Sequence, residues 1–129
     1  MKTKTPPIRS EHDEQVELFK MIKLYSIKYP ALKNAFAIPN GGQRHKAVAA
    51  KLKAEGVSPG YPDIALDWPS RDYHGLRIEL KRDSKRACMS GNQIEWFARL
   101  SDAGYLCQCC HGWRNAWATI CWYLKINPK

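Results

Sequence analysis

Asp63, Glu79 and Lys81 are the residues whose types and spacing hold chemistry. Glu79 and Lys81 fall in the alternating run Leu76-Arg77-Ile78-Glu79-Leu80-Lys81. A pleated strand sends both to one face and buries Leu80 on the other. Asp63 opens a second alternating run, Asp63-Ile64-Ala65-Leu66-Asp67-Trp68, and Pro69-Ser70-Arg71-Asp72-Tyr73-His74-Gly75 between the two reads as a turn. With that turn centred near Arg71 or Asp72, an antiparallel hairpin sets Asp63 opposite residues 79 to 81, at the roughly 5–8 Å of cross-strand neighbours. Two carboxylates held so close repel each other unless a cation sits between them, and hard oxygen ligands are what Mg²⁺ or Mn²⁺ require. Such a centre activates water for attack on a phosphodiester, with Lys81 orienting that water or neutralising developing charge. Pro-Asp followed by Glu-x-Lys is a loose pattern when taken alone, and a solvated hairpin face with an ordinary Glu–Lys pair would share it. Its setting favours catalysis: adjacent strands, a basic chain, and a first helix whose inward face begins with a carboxylate.

The elements that must position this trio follow from periodicity. Ser10 caps a helix running to about residue 28, with Val16, Phe19, Ile22 and Leu18, Ile22, Tyr25 at helical spacing. Glu11 and Gln15 lie on the face of Leu18 and Ile22. A strand over 35–38 is closed by Pro39-Asn40-Gly41-Gly42, and a basic helix covers about 43–55. After the 63–68 and 76–81 hairpin, Ser90 opens a third helix that places Ile94, Phe97 and Leu100 on one face and stops near Gly104. A strand at 105–110 and a helix at 113–124, its inward stripe Trp113, Trp117, Ile120, Cys121 and Leu124, complete the order. Helix, strand, helix, hairpin, helix, strand, helix predicts an α/β fold, a central mixed β-sheet flanked by helices on both faces. Residues 1–9, with Pro6-Pro7, read as a flexible leader, and 10–129 as one domain.

Charge favours a polyanionic partner, although a merely soluble basic protein would share it. The chain has 129 residues, with 21 Lys and Arg against 12 Asp and Glu, a net +9 that favours a polyanion, nucleic acid before anionic membrane. The turn at Asn40, Gly41, Gly42 and Arg44 offers backbone N–H groups and an arginine to a phosphate, although a plain strand-to-helix turn would use the same glycines. Lys46, with Arg44, His45, Lys51 and Lys53, lines the following helix, either against a nucleic-acid backbone or as a solvated face. Arg82, Lys85 and Arg86 extend the basic surface beyond Lys81 and read as phosphate contacts. Gln93 stands at the capping-box position of Ser90-x-x-Gln93; its amide either closes that box or faces the metal site.

Other chemistries find less support. Cys107, Cys109, Cys110 and His111 lack the paired spacings of zinc modules and read as strand thiols, and five cysteines in all, an odd number, make no secreted disulfide framework. His12, His45 and His74 have no serine or cysteine nucleophile beside them. No stretch approaches 18 apolar residues and no apolar run follows the N-terminus, so neither a membrane span nor a signal peptide is expected, and a bacterial or phage-infected host cytoplasm is the expected compartment.

These residues resemble the VRR-NUC family, a branch of the PD-(D/E)XK nuclease superfamily with short stand-alone phage and bacterial members. The likeness spans about residues 10–124. It rests on Glu11-x-x-x-Gln15, Ile38-Pro39-Asn40-Gly41-Gly42-x-Arg44, Gly60-x-Pro62-Asp63, Ile78-Glu79-Leu80-Lys81, and Ser90-x-x-Gln93 followed by Leu100 and Gly104. The resemblance implies a restriction-endonuclease-like core, Mg²⁺ or Mn²⁺ dependence, and a homodimer cleaving branched DNA such as a Holliday (four-way) junction. It makes Asp63, Glu79 and the Leu80 carbonyl metal ligands, Lys81 the catalytic lysine, Glu11 or Glu14 a helix-borne acid near the metal, and Gln93 a supporting residue. The cysteine-rich strand departs from the β-branched run expected there.

Overall fold

A computed structural model describes residues 9–39 and 45–128. The basic-turn residues Asn40, Gly41, Gly42 and Arg44 lie outside the described residues.

Helix α1 spans Glu11–Tyr25 and begins as expected, the Ser10 hydroxyl accepting the Asp13 N–H at 3.1 Å. Glu11, Asp13 and Glu14 in its first turn suit the positive end of the helix dipole. Its buried stripe is Glu14, Leu18 and Ile22, spaced four apart, while Val16 is left 41% exposed and Glu11 is exposed. The expected inward place of Glu11 thus belongs to Glu14. The helix also stops before residue 28, because Ser26 folds its hydroxyl onto the Lys23 carbonyl at 2.8 Å and Pro30 starts a separate turn. That turn is a 3₁₀ segment, Pro30–Asn34, that buries Leu32 and was not legible in the periodicity.

Strand β1, Ala35–Ala37, is followed by helix α2, Lys46–Ala54, of which no residue is buried. Strands β2, Ile64–Leu66, and β3, Leu76–Lys81, form the expected antiparallel hairpin with Ile64 opposite Ile78 and Leu66 opposite Leu76. Arg71 (φ 51°) and Asp72 (φ 66°) make the tight turn between them, closed by the Ser70–Tyr73 bridge. Helix α3, Gly91–Asp102, leads to strand β4, Leu106–His111, and helix α4, Trp113–Leu124. The four described strands lie in the order β1-β2-β3-β4, with β4 parallel to β3 and the other pairs antiparallel, so the sheet is mixed.

Alternation along β3 sorts the two faces. Leu76, Ile78 and Leu80 join Ile64, Leu66 and Cys110 against Leu18 and Ile22 of α1 and Ala116, Trp117 and Ile120 of α4 in one apolar core. Arg77, Glu79 and Lys81 point the other way, toward the side on which Ser101 of α3 lies beside the Cys107 thiol. Helices therefore flank both faces. On α4 the core positions are Ala116, Trp117, Ile120, Cys121 and Tyr123, with Trp113 and Leu124 only partly buried. On α3 the expected inward Ile94 is 55% exposed. The helix turns Trp96 toward the loop before β2, donating its indole N–H to the Pro59 carbonyl at 3.1 Å, so its covered face is Gln93, Trp96, Phe97 and Leu100. Among the described residues no helix is long and apolar enough to cross a membrane.

Candidate active site

Three carboxylates converge beside the C-terminal half of β3. One oxygen each from Glu11, Asp63 and Glu79 lies within 4.8 Å of the others. Each comes from a different element: Glu11 from the first turn of α1, Asp63 from the residue before β2, and Glu79 from the middle of β3.

Asp63 is held at two points. Its carbonyl accepts the Ile38 N–H at 2.7 Å, extending the β1–β2 ladder by one rung. Its Oδ2 accepts the Leu80 N–H at 3.0 Å. Leu80 thereby enters the site through its backbone while its side chain is buried in the core. The register extends to set Asp63 opposite Glu79, as the hairpin reading requires.

Glu79 is 1% exposed, and its Oε1 is a buried oxygen with no hydrogen-bond partner among the described residues. Its Oε2 lies 3.8 Å from Lys81 Nζ, whose side chain is 12% exposed. Burial first, then the hydrogen bond and charge of Asp63, push the Glu79 carboxyl up to about 9, with Lys81 pulling the other way. A protein does not ordinarily leave a carboxylate oxygen buried and unpaired beside two more acids, since each such atom costs about 1–3 kcal/mol. A divalent cation among these oxygens removes both costs, and an all-oxygen donor set is the set that Mg²⁺ or Mn²⁺ prefers. The residues present fit such an ion.

Of the two helix acids, it is Glu11 that reaches the trio. Glu14 instead accepts the Trp113 N–H at 3.4 Å, at the start of α4, where the capping residue Gly112 has no side chain to offer. Gln93 closes the capping box, its Oε1 accepting the Ser90 N–H at 2.8 Å, with no hydrogen bond to the acidic trio. Lys46, Arg82, Lys85 and Arg86 are exposed. The cysteines contribute no metal cluster among the described residues, and burial raises Cys110 and Cys121 to about 11, which keeps those thiols protonated. Sequence reasoning passed over Arg77, buried two residues before Glu79 on the same strand face. The same alternation that found Glu79 and Lys81 contains it.

A mixed sheet with an acidic trio and a lysine at one strand end defines a nuclease-type α/β domain. The VRR-NUC domain model matches residues 9–114, and the chain belongs to that family. A solved structure described as a VRR_NUC domain protein is similar to it with a TM-score of 0.79 and 29% identity, covering 94% of this chain and 93% of the other. Among curated proteins none matches.

Proposed function

We propose that the chain is a Mg²⁺- or Mn²⁺-dependent endonuclease that hydrolyses phosphodiester bonds in branched DNA, four-way junctions included, as a homodimer. The observation that carries the metal-dependent chemistry is the buried, unpaired Glu79 Oε1 set among two further carboxylates. The preference for branched DNA and the pairing of two copies are supported by the family resemblance.

Asp63, Glu79 and Glu11 would hold the ion, with the Leu80 carbonyl as a further ligand. When bound, the ion supplies Lewis-acid stabilisation of charge on the scissile phosphate and lowers the pKa of attacking water. Lys81, held beside Glu79, would orient the attacking water with its ammonium and offset negative charge on the phosphorus oxygens. Gln93, anchored at the mouth of α3, is a supporting residue through its remaining amide N–H groups. Lys46, Arg82, Lys85 and Arg86, together with Asn40, Gly41, Gly42 and Arg44, grip the DNA backbone.

The test is a panel of linear, flap and four-way DNA with Mg²⁺ or Mn²⁺, read on a denaturing gel beside a chelated control. Metal-dependent cutting of the branched members supports the reading. DNA binding indifferent to metal, with no product on any substrate, would instead identify a non-catalytic binding module. The basic surface gives a separate expectation. Arg82→Ala should weaken DNA binding at low salt and reduce the slope of log K against log[salt] by about 1, with no change in metal affinity. An unchanged slope in fluorescence anisotropy would remove Arg82 from the interface.

A further inference from the structure

The sheet face that carries Glu79 also carries a buried cation that hydrolysis does not use. Arg77 is 7% exposed and stands two residues before Glu79 on β3. Its register partner on β2 is Ala65, a side chain short enough to leave room for a guanidinium. The fork is used in three directions. Nε donates to the Tyr61 hydroxyl at 3.0 Å, Nη1 donates to the Leu76 carbonyl at 3.0 Å, and Nη2 lies 3.1 Å from Asp67 Oδ1. The Tyr105 ring packs on the guanidinium at 4.6 Å.

Tyr61 matters most among these partners because Pro62, which is buried, is all that separates it from Asp63. Proline fixes its own φ and restricts the residue before it, which leaves few free backbone torsions between Tyr61 and Asp63. From the opposite side, Trp96 of α3 meets the Tyr61 ring edge-on at 4.9 Å and donates its indole N–H to Ser58 and Pro59. Gly60 closes the same grip. Its φ is +88°, and a Cβ there would fall 2.7 Å from the Asn92 backbone. The segment before Asp63 is thus clamped between a strand arginine and the start of α3.

We propose that Arg77, acting through Tyr61, is a positioning device that sets the Asp63 carboxylate against Glu79 and so fixes the site's affinity for its divalent cation. This rests on the metal-site reading above. Arg77 hydrogen-bonds none of the three acids, so it works through the chain segment it holds. Only a planar fork engages Tyr61, Asp67 and the Leu76 carbonyl together, and a lysine, as a point charge, cannot replace it.

The variant that tests the brace is Tyr61→Phe, which keeps the ring and removes the hydroxyl that accepts the Arg77 Nε–H. Mn²⁺ alone, titrated into DNA-free protein and followed by electron paramagnetic resonance, should bind about tenfold more weakly, while the far-ultraviolet spectrum and melting temperature stay near the parent's. In cleavage assays the metal concentration for half-maximal rate should rise by the same factor, with most of the parent rate recovered at saturating Mn²⁺. Arg77→Lys should show the same metal defect, unrescued by its retained charge. Equal Mn²⁺ affinity in the parent and Tyr61→Phe overturns the brace and leaves the site reading intact. A parent that binds no Mn²⁺ overturns the site reading and the brace with it.

Discussion

Glu79→Gln should cut DNA at least about 10³-fold more slowly than the parent and, in the presence of a chelator at pH 8, melt several degrees higher. The two effects have one cause. The parent buries a carboxyl whose ordinary value of 4.5 is pushed to about 9 by burial and by Asp63. A carboxyl whose folded pKa exceeds its unfolded one contributes its full stability below the unfolded value, about pH 4.5, and loses that contribution as pH rises toward about 9. Between those limits the folded chain must hold a proton that the unfolded chain would release, or else bury an unpaired charge. A glutamine removes the charge and offers an amide donor to Asp63. The gain is about 1–3 kcal/mol, the scale of an unpaired buried polar atom, or roughly 4 °C per kcal/mol for a domain of this size. Chelated parent protein should therefore lose stability from pH 5 to pH 9, and the glutamine variant should show a flatter profile. Millimolar Mg²⁺ should reverse the ranking, raising the parent's melting temperature by linkage while leaving the variant's unmoved. Calorimetry with and without the ion measures all four quantities, and a variant that melts no higher under chelator would contradict the strain ascribed to Glu79.

Much of this site was legible in the sequence because strand alternation is a local rule. Glu79, Leu80 and Lys81 needed only a pleat, and the turn at Arg71 and Asp72 then set the register that brought Asp63 opposite Glu79. The Ser10 and Ser90 caps were equally local, each a hydroxyl reaching an N–H three residues ahead. What the sequence left open depended on partners distant along the chain. Whether Glu11 or Glu14 faces the site turns on where the start of α4 lies, because Trp113 takes Glu14 for its own N–H. Ile94 was placed inward by helical spacing, yet α3 packs on the loop at 58–59 as well as on the sheet, which rotates the covered face to Trp96. The 3₁₀ turn at Pro30–Asn34 is too short to show a period. Arg77 was overlooked because a lone arginine in a strand reads as solvent-facing until Tyr61 and Asp67 are seen to enclose it.

Lys81→Met is expected to separate binding from chemistry, with opposite signs in the two measurements. Lys81 places its ammonium 3.8 Å from Glu79 Oε2, on a side chain only 12% exposed, so the methionine keeps most of the buried stem and deletes the charge. A positive charge beside the carboxylates opposes a second cation arriving among them. Its removal should leave Mn²⁺ affinity unchanged or raise it severalfold in a titration of DNA-free protein. Cleavage should nevertheless fall by about 10²–10⁴, the usual loss when a group that orients a nucleophile or stabilises transition-state charge is deleted. Saturating metal should not restore the rate, since the missing interaction forms in the transition state and not in the resting site. The chelated variant should also melt below the parent, because Lys81 is the cation that lowers the Glu79 carboxyl toward its ordinary range. A structural lysine would predict the reverse combination, with metal affinity and rate falling together and high Mn²⁺ recovering both. Single-turnover cleavage of a DNA substrate at saturating Mn²⁺, set beside the metal titration, decides between a lysine that holds the carboxylates in place and one that acts on the phosphate.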